Sequence, residues 1–333
     1  MICYLFQSLF EGRFLLPSSL SHDHVIRIGT RGSQLARWQS TWVAEQLRIL
    51  HPDLTFELLE IKTHGDRDRN SPLSAIGGSG LFTKEIQRAL LDKTIEIAVH
   101  SLKDLPTLSP DGLTLSAVPP REEVADVLIA PAYQKLGLLP PGATIGTGSL
   151  RRRAMIMHAR PDLRVVGVRG NVETRLNKAL TGELDAVILA EAGLNRLGLS
   201  RHITDRLEPP TFLPAVGQGA LGIECRVDDR TTRELLAPLN HEATFLSVAA
   251  ERQLLAELEG GCMIPLSAHG KFSDTGSLTL DAAVYDPEGR EKITASGVAV
   301  GPNFDRLGRE VAEILRSKGA ERILKTVRDP DRS

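Results

Sequence analysis

Twice in this chain an apolar strand turns through Gly-Thr and Gly-Ser into a helix. Ile28-Gly-Thr-Arg-Gly-Ser33 makes the turn near the start, and Ile145-Gly-Thr-Gly-Ser149 echoes it far downstream. Each copy sits at the joint where hydrophobic spacing switches from the strand period to the helix period, with a serine placed to cap the helix. Such joints build βαβ units, whose sheets are mainly parallel and covered by helices. Two copies of the plan imply two similar lobes that face each other.

The rest of the chain fills in that plan. In the first round VIRIGT reads as a strand, Ser33 caps a helix carrying Leu35, Trp38, Trp42 and Leu47, and TFELLEI is the next strand. A helix near Phe82 to Asp92, then IEIAVHS and LTLSAVPP, complete it. The second round runs DVLIA, ATIGT, a helix from Ser149 to Arg160, LRVVGV, a helix after Asn171, and LDAVILA. Residues 209–226 mix proline and glycine with a short apolar run, the composition of a chain crossing back between lobes through a hinge. A helix from about Thr244 to Leu258, strands near 264–271, 277–285 and 291–299, and a helix near Phe304 to Ser317 predict a small α+β domain at the end. The expected organisation is therefore an α/β protein with lobe 1 at 23–119 and 220–238, lobe 2 at 120–219 including the return hinge, and a C-terminal domain at 239–333.

Composition narrows the function. A formal charge of −2 over 333 residues gives no global field to collect nucleic acid, so any anion site must be local. Three cysteines, Cys3, Cys225 and Cys262, show no metal-ligand spacing and no disulfide framework, which fits a reducing cytosol. No apolar run approaches the roughly 20 residues of a membrane span. Residues 1–22 lack the basic start and cleavage site of a secretory signal, and read as a disordered leader, a misassigned start or an organelle-targeting remnant.

Local basicity is present. GTGSLRRR places Arg151, Arg152 and Arg153 in the first turn of a helix, where the macrodipole disfavours each cation by roughly 0.3–1 kcal/mol. With the Thr147 and Ser149 hydroxyls and the free N–H groups of that turn, they form a receptor for carboxylate or phosphate. Arg31 and Ser33 repeat the arrangement in the first copy, and VRGNVETRL adds Arg169 at a strand end and Arg175 inside the next helix. All these positions map to the carboxyl edge of open sheets, where ligands bind. Taken singly, each arginine is an ordinary surface residue; their convergence suggests a polyanionic ligand. Substitution of Arg151 or Arg152 is accordingly expected to impair ligand handling rather than folding.

Two further positions carry chemistry. The strand IEIAVHS empties into His100, Ser101, Lys103 and Asp104 before a proline; a carboxylate there can stabilise a cation or move protons, or be only a turn aspartate. His100 alone reads more readily as a satisfied core histidine. Cys262 lies behind Gly260-Gly261, which let the backbone bend and a ligand approach closely, whereas a buried cysteine is commonly a small hydrophobe. No neighbouring histidine supplies a base for it.

Taken together, IGTRGSQLARWQ, GLFTKEI, IAVHSLKDLP, GTGSLRRR, VRGNVETRL, LPAVGQGALGIECR and EGGCMIP make residues 25–325 resemble the hydroxymethylbilane synthase family, also called porphobilinogen deaminase. The resemblance implies two periplasmic-binding-protein-like (type II) lobes and a third domain bearing a cofactor cysteine. It implies a transferase that condenses four porphobilinogen molecules head to tail, with loss of ammonia, on a dipyrromethane cofactor attached through Cys262. It further implies that Asp104 is catalytic with Lys103 beside it. Arg31, Ser33, Thr147, Ser149, Arg151, Arg152, Arg169 and Arg175 would then hold the acetates and propionates, and the protein would be a cytoplasmic monomer. Three positions depart from the family pattern: His64, Ser79 and Gly148, the last lacking a hydroxyl that is common there. The competing readings are a non-enzymatic two-lobed dicarboxylate-binding protein, which needs neither Cys262 nor Asp104, and a cysteine hydrolase, which lacks its histidine.

Overall fold

The computed structural model describes residues 25–63, 83–259 and 264–328. The leader, His64, Ser79 and Cys262 lie outside the described residues.

The first sheet has the order β2-β1-β3-β10-β4, formed by Val25–Thr30 (β1), Thr55–Glu60 (β2), Ile97–Ser101 (β3), Leu113–Ala117 (β4) and Leu221–Arg226 (β10). The second has the order β7-β6-β8-β5-β9, from Asp126–Ile129 (β5), Thr144–Gly146 (β6), Arg164–Val166 (β7), Ala186–Ala190 (β8) and Asp205–Leu207 (β9). Pairing is parallel for β1 with β2 and β3, and for β6 with β7 and β8; it is antiparallel on both sides of β10 and of β5. Four strands in each sheet thus run one way and one runs against them. In both sheets the reversed strand is the one that has just arrived from the other sheet. The α/β architecture with mixed, mainly parallel sheets follows the sequence reading, and the exchange of reversed strands is what the repeat did not announce.

Helix Gln34–Leu50 (α1) shows why one amphipathic pattern serves two lobes. Val43, Ala44 and Leu47 are fully buried against Ile26, Ile28, Phe56, Ile97 and Ile223 of the first sheet. Leu35, at the other end of the helix, packs instead with the apolar cluster of the second sheet. Trp38 stays 37% exposed because it lies between the two cores.

The two crossing segments run side by side. The Glu122 N–H donates to Gly219 O at 3.2 Å, and Arg121 Nε donates to Gln218 O at 2.7 Å. Gly219 has φ +86°, and a Cβ there would lie 2.4 Å from the Glu122 carbonyl oxygen, so the crossing tolerates no side chain at this point.

The third sheet, β11-β12-β13, is antiparallel, built from Leu266–Phe272, Ser277–Tyr285 and Lys292–Val300. Further helices are Lys84–Leu91 (α2), Leu150–Ala159 (α3), Val172–Leu180 (α4), Glu191–Arg196 (α5), Arg230–Leu236 (α6), Glu242–Glu257 (α7), Leu307–Ser317 (α8) and Ala320–Arg328 (α9). On β12, alternation sends Leu278, Leu280, Ala282 and Val284 into a core with Leu254 of α7 and Val311 of α8. Ala283 and Tyr285 face the other way and pack on Ala154 and Met155 of α3, which fixes that helix from behind. No helix among the described residues is long and apolar enough to cross a membrane.

Candidate active site

Both helix starts singled out by the repeat are capped as expected. The Ser33 hydroxyl accepts from the Ala36 N–H at 3.3 Å, and the Ser149 hydroxyl from the Arg152 N–H at 3.4 Å. Thr147, only 4% exposed, accepts the Ser149 N–H at 3.3 Å. Gly148 has a physical reason to lack a side chain: a Cβ there would lie 2.7 Å from the Val168 carbonyl oxygen. The missing hydroxyl is therefore the consequence of a close approach between β6 and the loop after β7.

Arg151 and Arg152 are more deeply committed to the protein than the sequence suggested. They are 4% and 5% exposed, and both pair with Asp126 at the start of β5, at 2.8 Å each. Arg151 also donates to Leu213 O at 3.0 Å, and Arg152 to Ile188 O at 3.1 Å. Gln218, from the return crossing, donates to Asp126 at 2.9 Å and to Val124 O at 2.8 Å. Burial would raise the Asp126 carboxyl, but the two guanidinium charges and the Gln218 hydrogen bond hold it well below the usual carboxylate range. These arginines therefore bear on stability as well as on any ligand, which corrects the expectation that changing them would spare the fold.

The first sheet contributes Lys103 and Asp104. They occupy the 3-10 turn Leu102–Asp104 that follows β3, held by the Leu102 N–H donating to Ala220 O at 3.0 Å. The Asp104 carboxylate has no hydrogen bond or ion pair with the described residues, yet it acts electrostatically on Lys103 and on Arg175 of α4. Lys103 is pushed down to about 8, first by burial, then by the Arg152 charge and less by Arg175, with Asp104 and Asp126 partly compensating. Burial and the Arg152 charge likewise bring Arg175 down to about 10, against the pull of Asp104 and Glu173. Lys103, Asp104, Arg152 and Arg175 thus meet in one recess from two sheets. It is crowded with positive charge, and a carboxylate ligand would relieve that crowding.

Arg31 and Arg169 are half-buried at the carboxyl ends of β1 and β7, the edge that the sequence indicated. His100 belongs to the core: its Nε2 lies 3.1 Å from Glu224, which is itself fully buried and accepts from Gln87 at 3.0 Å. Cys262 lies outside the described residues, but α7 ends within a few residues of it.

Some groups around the recess escaped the sequence reading. Arg196 of α5 donates to Gly219 O at 2.6 Å, lies 5.9 Å above the Trp38 ring and is brought down to about 10 chiefly by burial. Gln39 of α1 donates to the Ser101 hydroxyl at 2.8 Å. The one available signal was Asp126 itself, a lone acid opening the apolar run DVLIA, which demands a buried cationic partner.

Lys103 yields a prediction with a definite sign. A lysine charged only below about pH 8 attracts carboxylates below that pH and loses its pull above it. For any carboxylate substrate, kcat/KM is expected to fall as pH rises through about 8, and the limb should move upward in Lys103→Arg, whose charge persists. Alkaline limbs that superimpose in the two proteins would exclude Lys103 as the titrating group.

The chain matches known proteins over most of its length. The family model described as "Porphobilinogen deaminase, dipyromethane cofactor binding domain" matches residues 26–234, and "Porphobilinogen deaminase, C-terminal domain" matches residues 245–317. Porphobilinogen deaminase of Geobacter metallireducens is 49% identical over 303 residues, covering 91% of this chain and 94% of that protein. The enzyme of Syntrophotalea carbinolica is 47% identical over 299 residues, covering 90% and 95%. Among solved structures, the methionine binding protein MetQ superposes with a TM-score of 0.43 at 9% identity, over 68% of this chain and 94% of that one.

Proposed function

We propose that this chain, which belongs to the porphobilinogen deaminase family, is a hydroxymethylbilane synthase: a transferase that joins four porphobilinogen molecules head to tail, releasing ammonia at each step. The observation that carries the reading is the recess itself, where Asp104 stands without a partner among the described residues beside Lys103, Arg152 and Arg175. Porphobilinogen bears an acetate and a propionate next to an aminomethyl group that leaves with its nitrogen. Anionic arms and a developing cation are what this set of charges can hold.

The residues divide the work. Lys103, Arg31, Arg169 and Arg175 pair with the carboxylates, with Ser33, Thr147 and Ser149 adding hydrogen bonds at the two helix starts. Arg151 and Arg152 contribute from a position that Asp126 fixes. Asp104 accepts the pyrrole N–H of the substrate, stabilises the positive charge that develops as ammonia departs, and takes up the proton released once the new carbon–carbon bond has formed. The recess fits dipyrromethane on the same grounds, since its surplus of cations suits a group bearing several carboxylates. Cys262 would hold that cofactor through its sulfur, and when bound the group would supply the carbon to which the first substrate is joined. Porphobilinogen is the partner, with no nucleic acid and no membrane, and the protein works as a cytoplasmic monomer.

Intact mass tests the reading directly. Purified from a host that makes porphobilinogen, the chain is expected to be heavier than its sequence by two pyrrole units, with the excess missing in Cys262→Ser, and to turn porphobilinogen into a linear tetrapyrrole. An unmodified chain that binds porphobilinogen reversibly without converting it would make this a dicarboxylate-binding protein instead.

A further inference from the structure

Helix α7 covers the third sheet, where Glu251 accepts from the Gly270 N–H of β11 at 2.8 Å, yet Glu251 and its neighbour Arg252 near the middle of the helix also reach beyond that sheet. Glu251, fully buried, accepts from Arg121 at 2.6 Å and from the Gly217 N–H at 2.7 Å, tying the helix to both crossing segments. Arg252 reaches the first sheet. Its Nη1 donates to Leu105 O at 3.0 Å, and its Nη2 donates to Pro106 O at 2.7 Å and Thr107 O at 3.2 Å. Three consecutive carbonyls, directly after Asp104, converge on one guanidinium.

Besides the guanidinium, the turn that carries Asp104 is held at its start, where the Leu102 N–H donates to Ala220 O at 3.0 Å, and along its apolar side. It is a 3-10 turn of three residues, closed by the Leu105 N–H donating to Leu102 O at 3.1 Å, and Pro106 can donate no hydrogen bond of its own. Leu102 and Leu105 anchor its apolar side in a small cluster with Val248 of α7. Val248 and Arg252 are four residues apart and share one face of the helix, so a single helix face packs the turn and binds its carbonyls. A guanidinium offers five donors in a fixed planar fork, which holds carbonyls spread along the turn in one geometry, whereas the three donors of a lysine ammonium sit on a single nitrogen at the end of a flexible stem.

We propose that Arg252 is the positioning residue for Asp104: by holding the carbonyls of Leu105, Pro106 and Thr107 it fixes where the carboxylate stands. The inference rests on the catalytic reading of Asp104. Among the described residues Arg252 bonds the backbone carbonyls of the turn, so its removal is expected to displace the aspartate while leaving the carboxylate-binding side chains in place. A displacement of about 1 Å can cost on the order of 100-fold in rate. A cavity of about 260 Å³ beside it, lined by Thr107, Leu115, Phe245, Val248, Arg252 and Gln253, gives a small cation a way to the vacated position.

The full chain carrying its cofactor provides the test. Arg252→Ala is expected to lower kcat roughly 10–100-fold with KM for porphobilinogen within about threefold, while the pyrrole mass excess stays unchanged. Methylguanidinium should restore several-fold of the lost rate, and methylammonium at the same concentration should not. Arg252→Lys should be intermediate in rate, with faster amide exchange across residues 102–108, which keeps the idea testable if the alanine variant folds poorly. In an Asp104→Asn background the Arg252 change should cost nothing more, because it acts through that carboxylate. Wild-type kcat in Arg252→Ala, no rescue by methylguanidinium, or losses that multiply with those of Asp104→Asn would each overturn the proposal. Near-normal turnover of Asp104→Asn alone would overturn the catalytic reading instead.

Discussion

Asp104→Asn is expected to lose turnover by roughly 10²–10⁴-fold while keeping its fold and its cofactor. The substitution preserves volume and hydrogen-bonding capacity and removes only the negative charge. In the protein that charge makes no hydrogen bond or ion pair with the described residues, so the native state depends on it only through longer-range electrostatics; stability should move by no more than about 1 kcal/mol. What the charge does is act at a distance on Lys103 and Arg175, offsetting their mutual repulsion. During reaction it would act on the cation formed as ammonia departs, where an amide dipole offers far less. Pre-steady-state release of ammonia and the intact mass of the resting protein separate the two roles: chemistry should slow and the mass excess should persist. Turnover within about threefold of wild type would remove Asp104 from the mechanism.

The expectations that held were those written in local sequence. Ser33 and Ser149 could be read as caps because capping needs only a hydroxyl before a periodic apolar run, and both cap hydrogen bonds are present. Lys103 and Asp104 could be placed at the end of a buried strand because the apolar run IEIAV stops just before them. The reversed strands could not be read. Leu221–Arg226 and Asp126–Ile129 look like any buried strand, and their direction is decided by which sheet the chain has just left. Strand LRVVGV shrank to Arg164–Val166 because the chain bends away at Gly167 to bring Val168 against the helix start at Thr147.

Partners distant in sequence were equally hidden. The convergence of Arg152 on Asp126 and of Arg252 on the Asp104 turn each joins segments that local spacing cannot relate, and the hydrophobic pattern of α7 gives no sign that Glu251 and Arg252 also bond residues beyond the third sheet. Trp38 illustrates the same limit. Its helical spacing placed it with the core face, but it lies where α1 passes from one lobe to the other, under Arg196.

The arginine pair that the sequence offered to a ligand also holds the protein together, and removing its counter-charge is expected to be the most destabilising single change at the site. Asp126→Asn would leave Arg151 and Arg152 side by side, both almost fully buried, with no carboxylate between them. Breaking a buried pair from one side costs roughly 3–5 kcal/mol, because the remaining charge cannot be resolvated. Arg151→Met should cost less, about 1–3 kcal/mol, since it loses the Arg151–Asp126 ion pair and the hydrogen bond to Leu213 O but leaves Asp126 paired with Arg152 and no buried charge uncompensated. The order of the two variants is the informative result; a purely ligand-binding arginine pair would leave both with wild-type denaturation midpoints. The pH dependence follows from the depressed Asp126 carboxyl. Its folded-state pKa lies below the unfolded value, so its contribution is complete above about pH 4 and is lost as pH falls toward the folded value. The gap between wild type and Asp126→Asn should therefore be full at neutral pH and close only in acid, as denaturant titrations at pH 7, 5 and 3 would show; a gap already closed at pH 5 would mean that the carboxylate is not the charge that holds these guanidinium groups.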